Sequence, residues 1–188
     1  MNSGKKTLLA LAISVLASGY ALADDIDGGG GKITFTGLVI SAPCSIKADD
    51  IDKKVDLGEV TDTFINANTH TEAKDSSITL ENCALPSSDD GKGQPLSKVK
   101  VTFTSSNVVA SNPGLLSNTF AGGASNVGVR LMDSTGANIT LGTAKELALN
   151  PDSATQILPF QAWMEKIGAN TVTAGGVTAT ANYTLIYN

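Results

Sequence analysis

A β-sandwich of immunoglobulin-like type is the fold this chain predicts, and three observations predict it. Short runs alternate apolar and polar residues between turn clusters. The vocabulary is that of β-structure: Thr, Val, Ile, Asn and Ser, with 19 glycines in 188 residues. No stretch keeps a helical period for more than two turns. Short strands joined by turns in one domain make a two-layer, all-β architecture.

The N-terminus is set apart from that fold. Lys5 and Lys6 precede an apolar run from Leu8 to Leu16, and Ala21-Leu22-Ala23 is a small-x-small cleavage site. This order describes a secretory signal peptide over residues 1–23. The run is shorter than the roughly 20 apolar residues of a membrane span. Cleavage removes two lysines and takes the formal charge from −5 to −7. An acidic chain with pI ≈ 4.7 lacks the basic stripe that nucleic acid requires.

Four glycines, Gly28–Gly31, form a short tether before "KITFTGLV" (32–39). There Ile33, Phe35, Gly37 and Val39 share one face, the pattern of a half-buried strand. "VDLGEV" (55–60) is strand-like within an otherwise irregular 48–71. "SSITLENC" (76–83) and "SKVKVTFTS" (97–105) read as strands around a turn-rich loop, "LPSSDDGKGQP" (85–95). "NVGVRLMD" (126–133) is followed by a turn, "STGAN", and a short strand, "ITLG" (139–142). In "TQILPFQAWMEK" (155–166), Leu158, Phe160, Ala162 and Met164 share a face, and Pro159 marks an edge or bulge. The last strand is "GVTATANYTLIYN" (176–188), with Ala179, Ala181, Tyr183, Leu185 and Tyr187 on one side.

Cys44 and Cys83 are an even pair in an exported chain and read most simply as a disulfide, with two independent thiols as the alternative. Closing a loop of about 40 residues contributes roughly 4 kcal/mol in the chain-entropy account. Two cysteines and one histidine do not suit a zinc site. "DDIDGG" (24–29) fails as a calcium loop because Thr36 stands where the bidentate Glu belongs. His70 sits in a polar context and reads as a solvated loop residue rather than a general base. "GGGGKI" has Ile33 where a phosphate loop needs Ser or Thr. The sequons Asn138-Ile-Thr and Asn182-Tyr-Thr run into expected strands and read as polar strand positions. No catalytic constellation, metal or cofactor is expected, and the chain is not read as an enzyme.

These pieces, in order along the chain, closely resemble the pilin subunits of the chaperone–usher pathway, the family of type 1 and P pili. The matching pieces are "GKITFTGLVISAPCSI" (31–46), "VDLGEV", "LENC", "NVGVRLMDSTGANITLG" (126–142), Gly175 fourteenth from the C-terminus and Tyr187 penultimate. The resemblance implies an incomplete immunoglobulin-like sandwich of six strands that lacks its seventh. It implies three parts: the signal peptide (1–23), a donor-strand extension (24–39) and the pilin domain (40–188). Ile33, Phe35, Gly37 and Val39 would be the donor strand for a neighbour. Gly175, Ala181, Tyr183, Leu185, Tyr187 and Asn188 would line the acceptor groove and bind a periplasmic chaperone, whose basic residues would hold the Asn188 carboxylate. Cys44–Cys83 would pin the first strand to the second. Trp163 departs from the smaller aromatic or basic residue expected at its place.

The implied partners are neighbouring pilin subunits in a head-to-tail polymer, the chaperone and an outer-membrane usher. The implied destination is the cell surface, through the periplasm. A shaft subunit suits the single domain and intact donor strand best. A minor adaptor or terminator pilin, or a monomeric secreted sandwich that binds glycan, is the alternative.

Overall fold

The computed structural model describes residues 30–39, 41–86 and 96–188. The signal peptide, the "DDIDGG" run and most of the 85–95 loop lie outside the described residues. The chain divides into two units, Met1–Val39 and Ile40–Asn188. In the first, residues 30–39 form neither helix nor strand. Ile33, Phe35, Leu38 and Val39 are 76–98% exposed. The alternation therefore does not produce a strand in the single chain, because a strand needs a partner for its N–H and C=O groups.

In the second unit the elements run β1 (Ser45–Ile46), α1 (Ala48–Ile51), α2 (Asp62–Asn68), β2 (Lys74–Asp75), β3 (Ile78–Glu81), β4 (Lys98–Thr104), β5 (Val108–Val109), β6 (Asn112–Ser117), β7 (Val127–Asp133), β8 (Ala144–Ala148), β9 (Gln156–Leu158), β10 (Phe160–Lys166) and β11 (Asn182–Tyr187). They pair in three antiparallel sheets, ordered β1-β3-β9, β2-β10-β7-β6-β5 and β11-β4-β8. One core takes side chains from all three: Leu80 and Leu158, then Leu131 and Phe160, then Val101 and Phe103. Phe103 meets Phe160 edge-to-face at 4.8 Å, an arrangement the ring quadrupoles favour.

Local rules explain the element ends. Pro159 has no N–H to give a ladder, and there the chain leaves β3 and takes up β7 as its partner. Leu158, Phe160, Ala162 and Met164 are all buried, on the face their spacing indicates. Helix α2 is capped by Thr61, whose Oγ1 accepts from the Phe64 N–H at 3.1 Å. At seven residues it is too short for its period to stand out. The disulfide joins Cys44 and Cys83, just before β1 and just after β3, which are neighbouring strands.

Three expectations need correction. "ITLG" is not a strand: Asn138 bridges Met132 alone, Ile139 N–H reaches Leu131 O, and the next strand is β8. A buried Asp133 draws this turn inward by accepting from Thr135 N, Thr135 Oγ1, Ala137 N and Lys145 Nζ. His70 is exposed but is not a free loop residue. It bridges Glu165, and its ring stacks on Trp163 at 4.0 Å and 12°. The last strand is also shorter than its alternation suggests, since only residues from Asn182 onward pair with β4.

Candidate functional site: a groove between two unpaired edges

The second unit contains a groove of about 1620 Å³, floored by core side chains that include Ile78, Leu116, Val129 and Leu131. Two segments form its rims: residues 51–62, which carry "VDLGEV", and residues 172–183. On the first rim Lys53, Val55 and Leu57 are half-buried, while Lys54, Asp56 and Gly58 are exposed. That is strand alternation, yet among the described residues no backbone–backbone hydrogen bond engages 53–60. Among the described residues, the only bond to this stretch's amides is from Gly58 N–H to Asp56 Oδ1, within the rim itself.

The second rim shows how such an edge is held. Val177, Ala179, Ala181 and Tyr183 are half-buried and alternate with exposed Thr178, Thr180 and Asn182. The even-numbered peptide groups are bonded away from the groove. Asn118 accepts from Thr178 N–H at 2.9 Å and donates to Gly176 O at 2.9 Å and Ala124 O at 2.9 Å. Thr119 N–H reaches Thr178 O at 2.8 Å, and Ser105 Oγ reaches Thr180 O at 2.7 Å. Among the described residues the backbones of Val177, Ala179 and Ala181 make no hydrogen bond. In a strand, successive peptide groups point to opposite sides, so these groups face the groove.

Close packing fixes where this rim begins. Gly175 has φ +155°, and a Cβ there would lie 2.6 Å from the Gly123 carbonyl carbon and closer still to Ala124 N. Gly176 lies under Phe120, whose ring atoms would be 2.9 Å from an added Cβ. At the other end the Tyr183 hydroxyl donates to Asp50 O at 2.7 Å. Burial, with the nearby Asp50 carboxylate, pushes that hydroxyl's pKa up. Burial raises the pKa of the Asp50 carboxyl, but the Lys53 ammonium at 2.6 Å and the Thr79 N–H at 2.7 Å outweigh it and hold the carboxyl below its ordinary value.

Of the residues expected at an acceptor site, Gly175, Ala181 and Tyr183 line this groove. Leu185 and Tyr187 lie beyond it in β11, half-buried against the core. Asn188 exchanges both backbone bonds with Lys98 at 3.0 Å. Ile33, Phe35, Gly37 and Val39 belong to the other unit. Sequence reasoning missed Asn118, Asn66 and the part played by 53–60. The strand-like "VDLGEV" was a signal for the last, but an isolated Asn in "LLSNTF" offered none. Among the described residues no cluster of His, Cys, Asp or Glu could hold a metal ion.

Among the described residues, an apolar slot between two backbone edges that lack partners has the form of a strand-acceptor site in a structural protein. Known proteins agree with that class. The model of the family described as fimbrial protein matches residues 33–188. An uncharacterized fimbrial-like protein of Escherichia coli K12, YbgD, is 51% identical over the full length of both chains. Among solved structures, a chaperone–usher pilus subunit aligns with TM-score 0.72 and 29% identity, over 88% of this chain and all of that one. The P pilus rod subunit PapA aligns with TM-score 0.64 and 26% identity, over 78% of this chain and all of that one. The chain belongs to the fimbrial protein family and is a structural pilin subunit.

Proposed function

We propose that this pilin polymerises by lending residues 32–39 to the groove of the next copy, as a shaft subunit of a chaperone–usher fimbria. The observation that carries the reading is the groove itself, with unpaired backbone on both rims. An inserted strand would pair both rims at once, which is β-strand addition on two sides. Ile33, Phe35 and Val39 are exposed in the single chain, and burying them would contribute on the order of 1.5–3 kcal/mol each. Gly37, with no side chain, would let the two backbones approach closely. One copy's donor fills the next copy's acceptor, so the contact is heterologous and does not close, and it generates a filament.

An empty groove is an aggregation hazard. In this reading a periplasmic chaperone covers it until an outer-membrane usher passes the subunit to the growing fimbria at the cell surface. The C-terminal strand, with Leu185, Tyr187 and the Asn188 carboxylate, is the chaperone's handle. The test is a denaturing gel of the mature protein, boiled and unboiled, with and without residues 24–39. Heat-sensitive multimers that vanish with the deletion support strand exchange. Equal, compact monomers in both forms would leave a solitary binding domain as the better reading.

A further inference from the structure

Two hydrogen-bonded ties cross the groove, one at each end. At one end Tyr183, on the C-terminal rim, donates its hydroxyl to the Asp50 carbonyl at 2.7 Å. At the other, Asn66 of α2 grips the peptide of Val172. Its amide donates to Val172 O at 3.1 Å, and its Oδ1 accepts from Val172 N–H at 2.8 Å. Val172 and Tyr183 both line the groove, as do Ile51 and Ile65, the chain neighbours of Asp50 and Asn66. The rims therefore run antiparallel and are joined at both ends, with an open window between.

We propose that these ties measure the strand: Asn66 and Tyr183 act as positioning residues that fix the length of the segment the groove takes. The inference rests on the strand-accepting reading above, and its occupant is residues 32–39 of a second copy. From Val172 to Tyr183 the rim, which bends at residues 174–175, spans at most about 36 Å at roughly 3.3 Å per residue. A segment of eight residues covers about 23 Å on the same rise, so 32–39 fits between the ties. A longer strand meets a tie. The ties also hold the rims at a fixed separation while the groove is empty, and a pre-set site loses less freedom when its ligand arrives.

The experiment uses the full chain as purified monomer and three labelled synthetic peptides, read by fluorescence anisotropy. They are residues 34–39, residues 32–39, and residues 32–39 lengthened by four alternating Thr and Val residues. On the wild-type protein, going from six to eight residues adds Ile33 and tightens binding about tenfold. The further four residues change it less than twofold. In Asn66→Ala and in Tyr183→Phe the eight-residue peptide binds more weakly and the lengthened peptide regains affinity. Tyr183→Phe removes one oxygen atom and keeps the ring, so it serves where Asn66→Ala does not fold. The proposal is overturned if lengthening tightens wild-type binding steadily, or if both variants keep the wild-type length profile while still binding. Should no peptide bind the wild-type protein, the strand-accepting reading itself falls and this inference falls with it.

Discussion

Thr178 is held by Asn118: its N–H donates to Asn118 Oδ1 at 2.9 Å, while the same amide group's Nδ2 supports Gly176 O and Ala124 O. One side chain thus does the work of a strand along the outer side of the C-terminal rim. It leaves the inner side, at Val177 and Ala179, free for an incoming chain. Asn118 also accepts from Phe120 N–H at 3.0 Å, which ties the rim to the loop that packs against it.

Asn118→Ala removes four hydrogen bonds from backbone groups and is expected to destabilise the monomer by about 2–4 kcal/mol. Asn118→Asp keeps the acceptor and loses the two donated bonds, so it falls between. Urea unfolding of the three proteins side by side measures this order. Equal midpoints would show that the rim is held some other way.

Gly175→Ala places a Cβ against the backbone of Gly123 and Ala124 at a φ that side chains rarely adopt. The expected cost is about 1–3 kcal/mol for the backbone strain, plus the displacement of the 123–124 loop. Gly37→Ala is the contrast. Nothing lies within 4 Å of a Cβ at Gly37 in the single chain, so monomer stability should not change while multimer formation slows. Thermal melts and an unboiled gel on both variants separate the two effects.

Acid should loosen the turn after β7 in a defined way. The Asp133 carboxylate takes Lys145 Nζ at 2.6 Å and then Thr135 Oγ1 at 2.6 Å. These bonds outweigh its burial and hold its pKa well below the usual carboxylate range. Glu165 is lowered in the same sense, first by the Arg130 guanidinium, against burial, with help from Trp163. A lowered pKa gives stability that is complete above the unfolded values, 3.8 for Asp and 4.5 for Glu. It is lost as pH falls through the folded ones. Asp133→Asn is therefore expected to cost about 1–3 kcal/mol at pH 7. The gap to wild type should narrow progressively below about pH 4. A gap that stays constant to pH 2 would contradict this.

The sequence made the alternating strands legible because their period is recorded in single residues. Val99, Val101 and Phe103 alternate with polar neighbours in "SKVKVTFTS" and are buried, and Pro159 does interrupt its strand. The groove was harder to see, because it consists of a partner that is missing. "VDLGEV" and "GVTATAN" alternate like any strand, and alternation reports a buried face without reporting a paired edge. The pairs β5–β6 and β4–β8 went unread for a different reason. Val108–Val109 is too short to show a period, and β8 alternates Ala144, Glu146 and Ala148 against Lys145 and Leu147, which mixes polar residues into both faces.

The most direct test of the account is amide hydrogen exchange at Val177, Ala179 and Ala181, measured in monomer and in assembled filament. These N–H groups face an empty groove in the single chain and would be bonded to a neighbour's residues 32–39 after assembly. The account predicts fast exchange in the monomer and strong protection in the filament, with Thr178 protected in both. Equal exchange of Val177, Ala179 and Ala181 in the two states would mean that no strand enters between the rims, and the proposed mode of assembly would be wrong.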